Sequence, residues 1–191
     1  MRFPLTVAVL WLAAATAAAS TPGPPGTPGT RGMPGVAKTP GAVQIGETLQ
    51  EATLQGLNGR VRRLAEFRGR PLIINMWASW CGPCRSEMSS LERLAWLEPA
   101  QHFTIIGIST DDYRDKALDF LKTSNATISH FLDSQLQMEK MLGAERLPLT
   151  VLVDANGRVL DKIYGAREWD GPESLALIAK AFGIKAFATR R

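Results

Sequence analysis

Alternation of apolar strands with amphipathic helices predicts an α/β domain, and three features of the chain carry that reading. The run Leu72–Trp77 is apolar on both faces, so it reads as a central strand covered on both sides. A helix follows at once, opening at Cys81-Gly82-Pro83-Cys84 and running to about residue 97, with Met88, Leu91, Leu94 and Ala95 along one face. Near the end of the chain two strands are joined by Asp154-Ala155-Asn156-Gly157, whose Asn-Gly pair is a strong hairpin signal. A parallel β-α-β half thus precedes an antiparallel hairpin and a closing helix.

The remaining elements follow in chain order. Residues 48–54 and 60–63 flank Gly56-Leu57-Asn58-Gly59, which suits a tight turn and predicts an N-terminal β-hairpin. Arg70-Pro71 introduces the central strand, and residues 103–109 form a second buried strand. Residues 112–122 show helical spacing at Tyr113, Ala117, Phe120 and Leu121, with Asp111 and Asp112 as candidate caps. A short strand at 128–132 and a short helix at 134–142, capped by Ser134, come next. Strands at 149–154 and 157–164 and a helix over Pro172–Phe182 complete the domain.

The N-terminus reads as a targeting segment, residues 1–19. Arg2 supplies a minimal positive start, residues 5–12 an apolar core, and residues 13–20 a stretch of small side chains, with cleavage expected after Ala17-Ala18-Ala19. An uncleaved membrane anchor is the competing reading, but residues 5–19 fall short of the roughly 20 a spanning helix needs. Residues 20–42 form a Gly/Pro-rich linker in which Gly23, Gly26, Gly29, Gly32 and Gly35 keep a period of three. So few triplets cannot hold three chains together, so the segment reads as an extended spacer, a tether if the leader stays in the membrane. The domain proper is residues 43–191, and a monomer is expected. A net charge of +4, scattered along the chain, gives no argument for nucleic acid.

Cys81 and Cys84 are the only cysteines, and a C-x-x-C that opens a helix after a strand is the arrangement of a dithiol redox site. Unpaired N–H groups and the positive dipole end of the first turn stabilise a thiolate, which assigns the lower-pKa sulfur to Cys81. The two-residue spacer brings Cys84 round one turn, where it attacks a mixed disulfide at Cys81 and releases it as an internal disulfide. Pro83 costs little in the first turn, where its missing N–H would have been unpaired anyway. Half of a zinc site is the plain alternative, but structural zinc needs four ligands and the only histidines, His102 and His130, are too far apart for the usual pair. A structural disulfide is the other, yet a bridge closing so short a loop removes little unfolded-state entropy. No metal and no cofactor are expected.

The run Asn75-Met76-Trp77-Ala78-Ser79-Trp80-Cys81-Gly82-Pro83-Cys84-Arg85-Ser86-Glu87-Met88, with Leu147-Pro148-Leu149-Thr150-Val151-Leu152-Val153-Asp154 downstream, resembles the TlpA/ResA-type branch of the thioredoxin superfamily. The resemblance spans about residues 43–182. It implies a thioredoxin-like fold with an N-terminal β-hairpin and, at 112–132, the central helix-strand insertion that this branch shares with peroxiredoxins. It also implies an exported, periplasmic thiol-disulfide oxidoreductase that reduces disulfides of extracytoplasmic protein partners, as in cytochrome c maturation or copper-site assembly. A membrane thiol carrier would supply the electrons.

Carried over residue by residue, the resemblance makes Pro148 a cis proline facing the dithiol, with the Leu147 backbone as an edge for an extended substrate. Trp80, Gly82 and Pro83 complete the expected substrate-binding surface, Trp80 covering the disulfide with an apolar face while Trp77 packs in the core. Asn75 stands where cytoplasmic thioredoxins carry a buried aspartate that deprotonates the resolving thiol, and a neutral amide cannot do so. Glu87, one turn beyond Cys84, is the candidate replacement base. Met88-Ser89 replaces the branch's usual hydrophobic-Pro pair, which predicts a straighter helix. Two rival functions are a copper-binding or copper-delivery module and a thiol peroxidase. The first conflicts with the short cysteine spacing and the second with Ser79-Trp80-Cys81, which does not supply a Thr-x-x-Cys environment.

Overall fold

The computed structural model describes residues 41–185, so the expected leader and nearly all of the linker lie outside the described residues. Seven strands form one mixed sheet: β1 (Thr53–Gly56), β2 (Arg62–Arg63), β3 (Leu72–Trp77), β4 (Thr104–Ser109), β5 (Ser129–Leu132), β6 (Leu149–Val153) and β7 (Val159–Tyr164). Their spatial order is β2-β1-β5-β4-β3-β6-β7. β3, β4 and β5 run parallel, β6 pairs antiparallel to β3 and β7 antiparallel to β6 on one side, and the β1–β2 hairpin closes the other. Four α-helices connect them: α1 (Gly82–Trp96), α2 (Arg114–Thr123), α3 (Gln137–Leu142) and α4 (Pro172–Phe182).

The period of two along β3 sorts its side chains between two cores. Ile74 and Met76 join Ile106, Ile108, Val151 and Val153 beneath α3 and the N-terminal segment around Val43 and Leu49. Ile73 points the other way, with Leu152 and Ile105, against Leu91 and Leu94 of α1 and Ile178 of α4. Trp77 lies on that same side, stacked on Phe120 of α2 with ring centroids 4.8 Å apart. Both faces of β3 are thus covered, which is why the run carries no polar residue except Asn75.

The first hairpin is shorter than its sequence pattern, because Thr48 bridges Arg158 of the opposite edge instead of pairing within the hairpin. At the second hairpin Asp154 C=O accepts from Gly157 N–H at 3.0 Å, and Gly157 takes φ +86°. That is a type I turn closed by a left-handed residue, so the loop has three residues instead of two. Two expected caps are also displaced. The Asp133 carboxylate, not Ser134, accepts from the backbone N–H groups of Gln137 and Glu139 at the start of α3 (2.9 and 2.8 Å). Tyr113 occupies the N-cap of α2 without a side-chain bond, and Asp111 is engaged elsewhere. α1 runs unbroken for 15 residues, consistent with Ser89 in place of a kinking proline.

Candidate active site

Cys81 is the N-cap of α1 and is bridged to Cys84 by a disulfide with Cα atoms 5.3 Å apart. Strand β3 aims the chain at this point, and Asp111 fixes the turn between strand and helix. Its carboxylate accepts from Ser79 N–H (2.9 Å), Ser79 Oγ–H (2.7 Å) and Ser109 Oγ–H (2.7 Å). The helix then presents its first free N–H groups to sulfur: Cys84 N–H donates to Cys81 Sγ at 3.1 Å. The two sulfurs differ in access, Cys81 being 5% exposed and Cys84 0%. Both sit in an apolar cluster with Trp77, Ala78, Met88 and Phe120, with Leu147 packed against it. The Arg85 guanidinium lies 5.0 Å above the Phe120 ring and adds a cation at the same helix end.

Glu87 is buried on α1, one turn beyond Cys84. Its Oε1 accepts from Asn75 Nδ2 at 2.7 Å, and its Oε2 accepts from Trp169 Nε1–H at 3.0 Å and Arg167 N–H at 3.3 Å. Burial pushes the carboxyl up from its ordinary 4.5 to about 7, against these three bonds, which favour the charged form. The acid is therefore poised to exchange a proton near neutrality. Asn75 also donates to Thr150 Oγ1 at 3.0 Å across the β3–β6 pair. The loop that brings Trp169 is tied to α1 by Arg93, which pairs with Asp170 (2.6 Å) and Glu168 (3.1 Å), and by Ser90 Oγ, which accepts from Trp169 N–H. Nothing local in the sequence marks Trp169 or Thr150, which lie 82 and 75 residues from the groups they bond.

The Leu147–Pro148 peptide is cis, as the resemblance implies. A groove beside the cystine is lined by Trp80, Thr110, Glu139, Arg146 and Leu147. Trp80 forms one wall and is 72% exposed, and it stands outside the apolar cluster that buries the cystine. The structure therefore brings Cys81, Cys84, Glu87, Trp80 and Leu147 to one end of the sheet. His130 lies elsewhere, buried edge-on against Trp77 with Nε2 3.5 Å from Glu92.

Sequence and structure comparisons agree with this geometry. The Redoxin family model matches residues 44–177. Thiol-disulfide oxidoreductase ResA of Geobacillus thermodenitrificans is 32% identical over 124 residues, covering 65% of this chain and 71% of the relative. Thiol:disulfide interchange protein DsbE of Vibrio cholerae is 34% identical over 141 residues, covering 71% and 73%. Among solved structures, a DsbE-type protein from Chlorobium tepidum superposes with a TM-score of 0.67 at 26% identity, over 73% of this chain and 99% of that one. With a helix-capping cysteine bridged to a buried partner on a thioredoxin-like sheet, the chain belongs to the Redoxin family as a thiol-disulfide oxidoreductase.

Proposed function

We propose that the protein works outside the cytoplasm as a disulfide reductase of partner proteins. After reduction, the Cys81 thiolate attacks a partner disulfide, Cys84 resolves the mixed intermediate, and a membrane thiol carrier restores the dithiol. One observation carries the order of events: Cys81 retains exposure and receives the Cys84 N–H, whereas Cys84 has none. An incoming disulfide reaches only the first sulfur. Glu87 serves Cys84 as general base, taking the thiol proton as the second attack begins. An extended client segment lies in the groove between Trp80 and Leu147, along the backbone edge before Pro148.

Export rests on the N-terminal pattern, with residues 1–19 as leader and 20–42 as spacer. The Gly82-Pro83 spacer, that of reducing thioredoxins, supports reduction over oxidation. Trapping tests the whole reading. In the native host, Cys84→Ser should accumulate mixed disulfides through Cys81, with extracytoplasmic clients attached, and Cys81→Ser should not. Adducts that form equally through Cys84 in the Cys81→Ser variant would sink the assignment.

A further inference from the structure

We propose that Asn75 is the positioning residue that lets Glu87 take up and release its proton, by turning its side-chain amide end for end. The inference rests on the reading of Glu87 as the base for Cys84. Its starting point is an asymmetry in a side chain only 1% exposed. Asn75 Nδ2 holds both Glu87 Oε1 and Thr150 Oγ1, whereas Oδ1 has no hydrogen-bond partner among the described residues. A buried amide carbonyl without a partner is costly, and such groups call for a reason.

The two oxygens of Glu87 are not equivalent as proton acceptors. Oε2 faces the Trp169 indole N–H and the Arg167 backbone N–H, which can only donate, so a proton there would have no acceptor. Oε1 faces a single amide, and an amide has an accepting end as well as a donating one. When Glu87 is ionised, Nδ2 must point at it, as observed. When Glu87 is neutral, a half-turn of the amide brings Oδ1 to the same place, where it accepts from the new Oε1–H. Thr150 does not oppose the turn, because its hydroxyl accepts from Nδ2 in one state and donates to Oδ1 in the other. Both hydrogen bonds survive with their directions reversed.

The proton count closes without a further reactant. The Cys84 S–H bond breaks, the Oε1–H bond forms, and the electron pair left on Cys84 sulfur attacks Cys81 sulfur, expelling the partner's sulfur as thiolate. The groups bonded to Glu87 are Asn75 from β3 and Arg167 N–H and the Trp169 indole from the β7–α4 loop, with Thr150 of β6 joined through Asn75 and the cysteine pair one turn back on its own helix. Among the described residues no charged side chain pairs with it.

The test is a pH titration of the reduced parent protein by NMR, with the glutamate carboxyl carbons and asparagine side-chain amides labelled. The Glu87 carbon and the Asn75 amide should titrate with one shared midpoint near 7, and the Asn75 amide protons should lose their NOEs to Thr150 on the acid side. Glu87→Gln should leave the Asn75 signals flat. NOEs that persist on both sides while Glu87 titrates would overturn the turning amide and leave the base intact. A Glu87 carbon that stays flat between about pH 5 and 9 would overturn both. In kinetics, Asn75→Ala should shift the acid limb of the pH-rate profile upward by about one unit, since a donor to the carboxylate is lost. An unmoved limb contradicts the proposal, and the NMR arm stands even if that variant does not fold.

Discussion

Glu87 concentrates the protein's chemistry in one carboxyl group. Its folded pKa of about 7 against an ordinary 4.5 means that, between those values, the native chain holds a proton the unfolded chain has released. Stability from this group is complete below about pH 4.5 and is lost as the pH rises through about 7, by on the order of 3 kcal/mol. Urea denaturation between pH 5 and 8 should show this decline in the parent and not in Glu87→Gln; parallel curves would contradict it. In the same variant, disulfide reduction should slow by about 100- to 1000-fold near neutral pH, within the usual range for a lost general base. The sequence made the two cysteines and Glu87 legible, because their spacing of three is local and helical. Trp169 and Thr150 were not legible, since only the closing of the sheet and the β7–α4 loop brings them to the carboxyl.

At the scale of elements, β3 and β4 set the site through what their faces will accept. Gly107 lies opposite Asn75 in the β3–β4 pair, and a Cβ there would overlap His130 Nδ1 and come within 2.9 Å of Trp77 Nε1. Those rings are fixed in the core, so Gly107→Ala should cost about 1–3 kcal/mol, read as a lowered denaturation midpoint. A neutral result would mean that the rings repack. Asp111 makes a second case. Its sequence position suggested a helix cap, but the side chain turns back to hold Ser79, two residues before Cys81. Asp111→Ala should cost about 1–3 kcal/mol through the unpaired Ser79 N–H and Ser109 hydroxyl. An unchanged melting temperature would refute that clamp. Apart from β1, expected at residues 48–54 and found at Thr53–Gly56, the strands and long helices were readable within a residue or two from periodicity. Caps were not, because Ser134 and Asp133 offer equivalent chemistry one residue apart and only backbone geometry chooses between them.

For the whole molecule, the α/β class follows from a central strand that is apolar on both faces and leads into the C-x-x-C helix, and the thioredoxin-like topology is what the family resemblance implies. Among the described residues no helix is long and apolar enough to cross a membrane. The chain recovered from the native host should begin at Ser20, as checked by intact mass. A chain that keeps residues 1–19 would favour the tether. The central claim is that the Cys81–Cys84 pair is a reductant, and its reduction potential tests this most directly. Equilibration with glutathione should place it near the roughly −270 mV of thioredoxin, and a value near the roughly −120 mV of a dedicated disulfide donor would reverse the direction of electron flow proposed here.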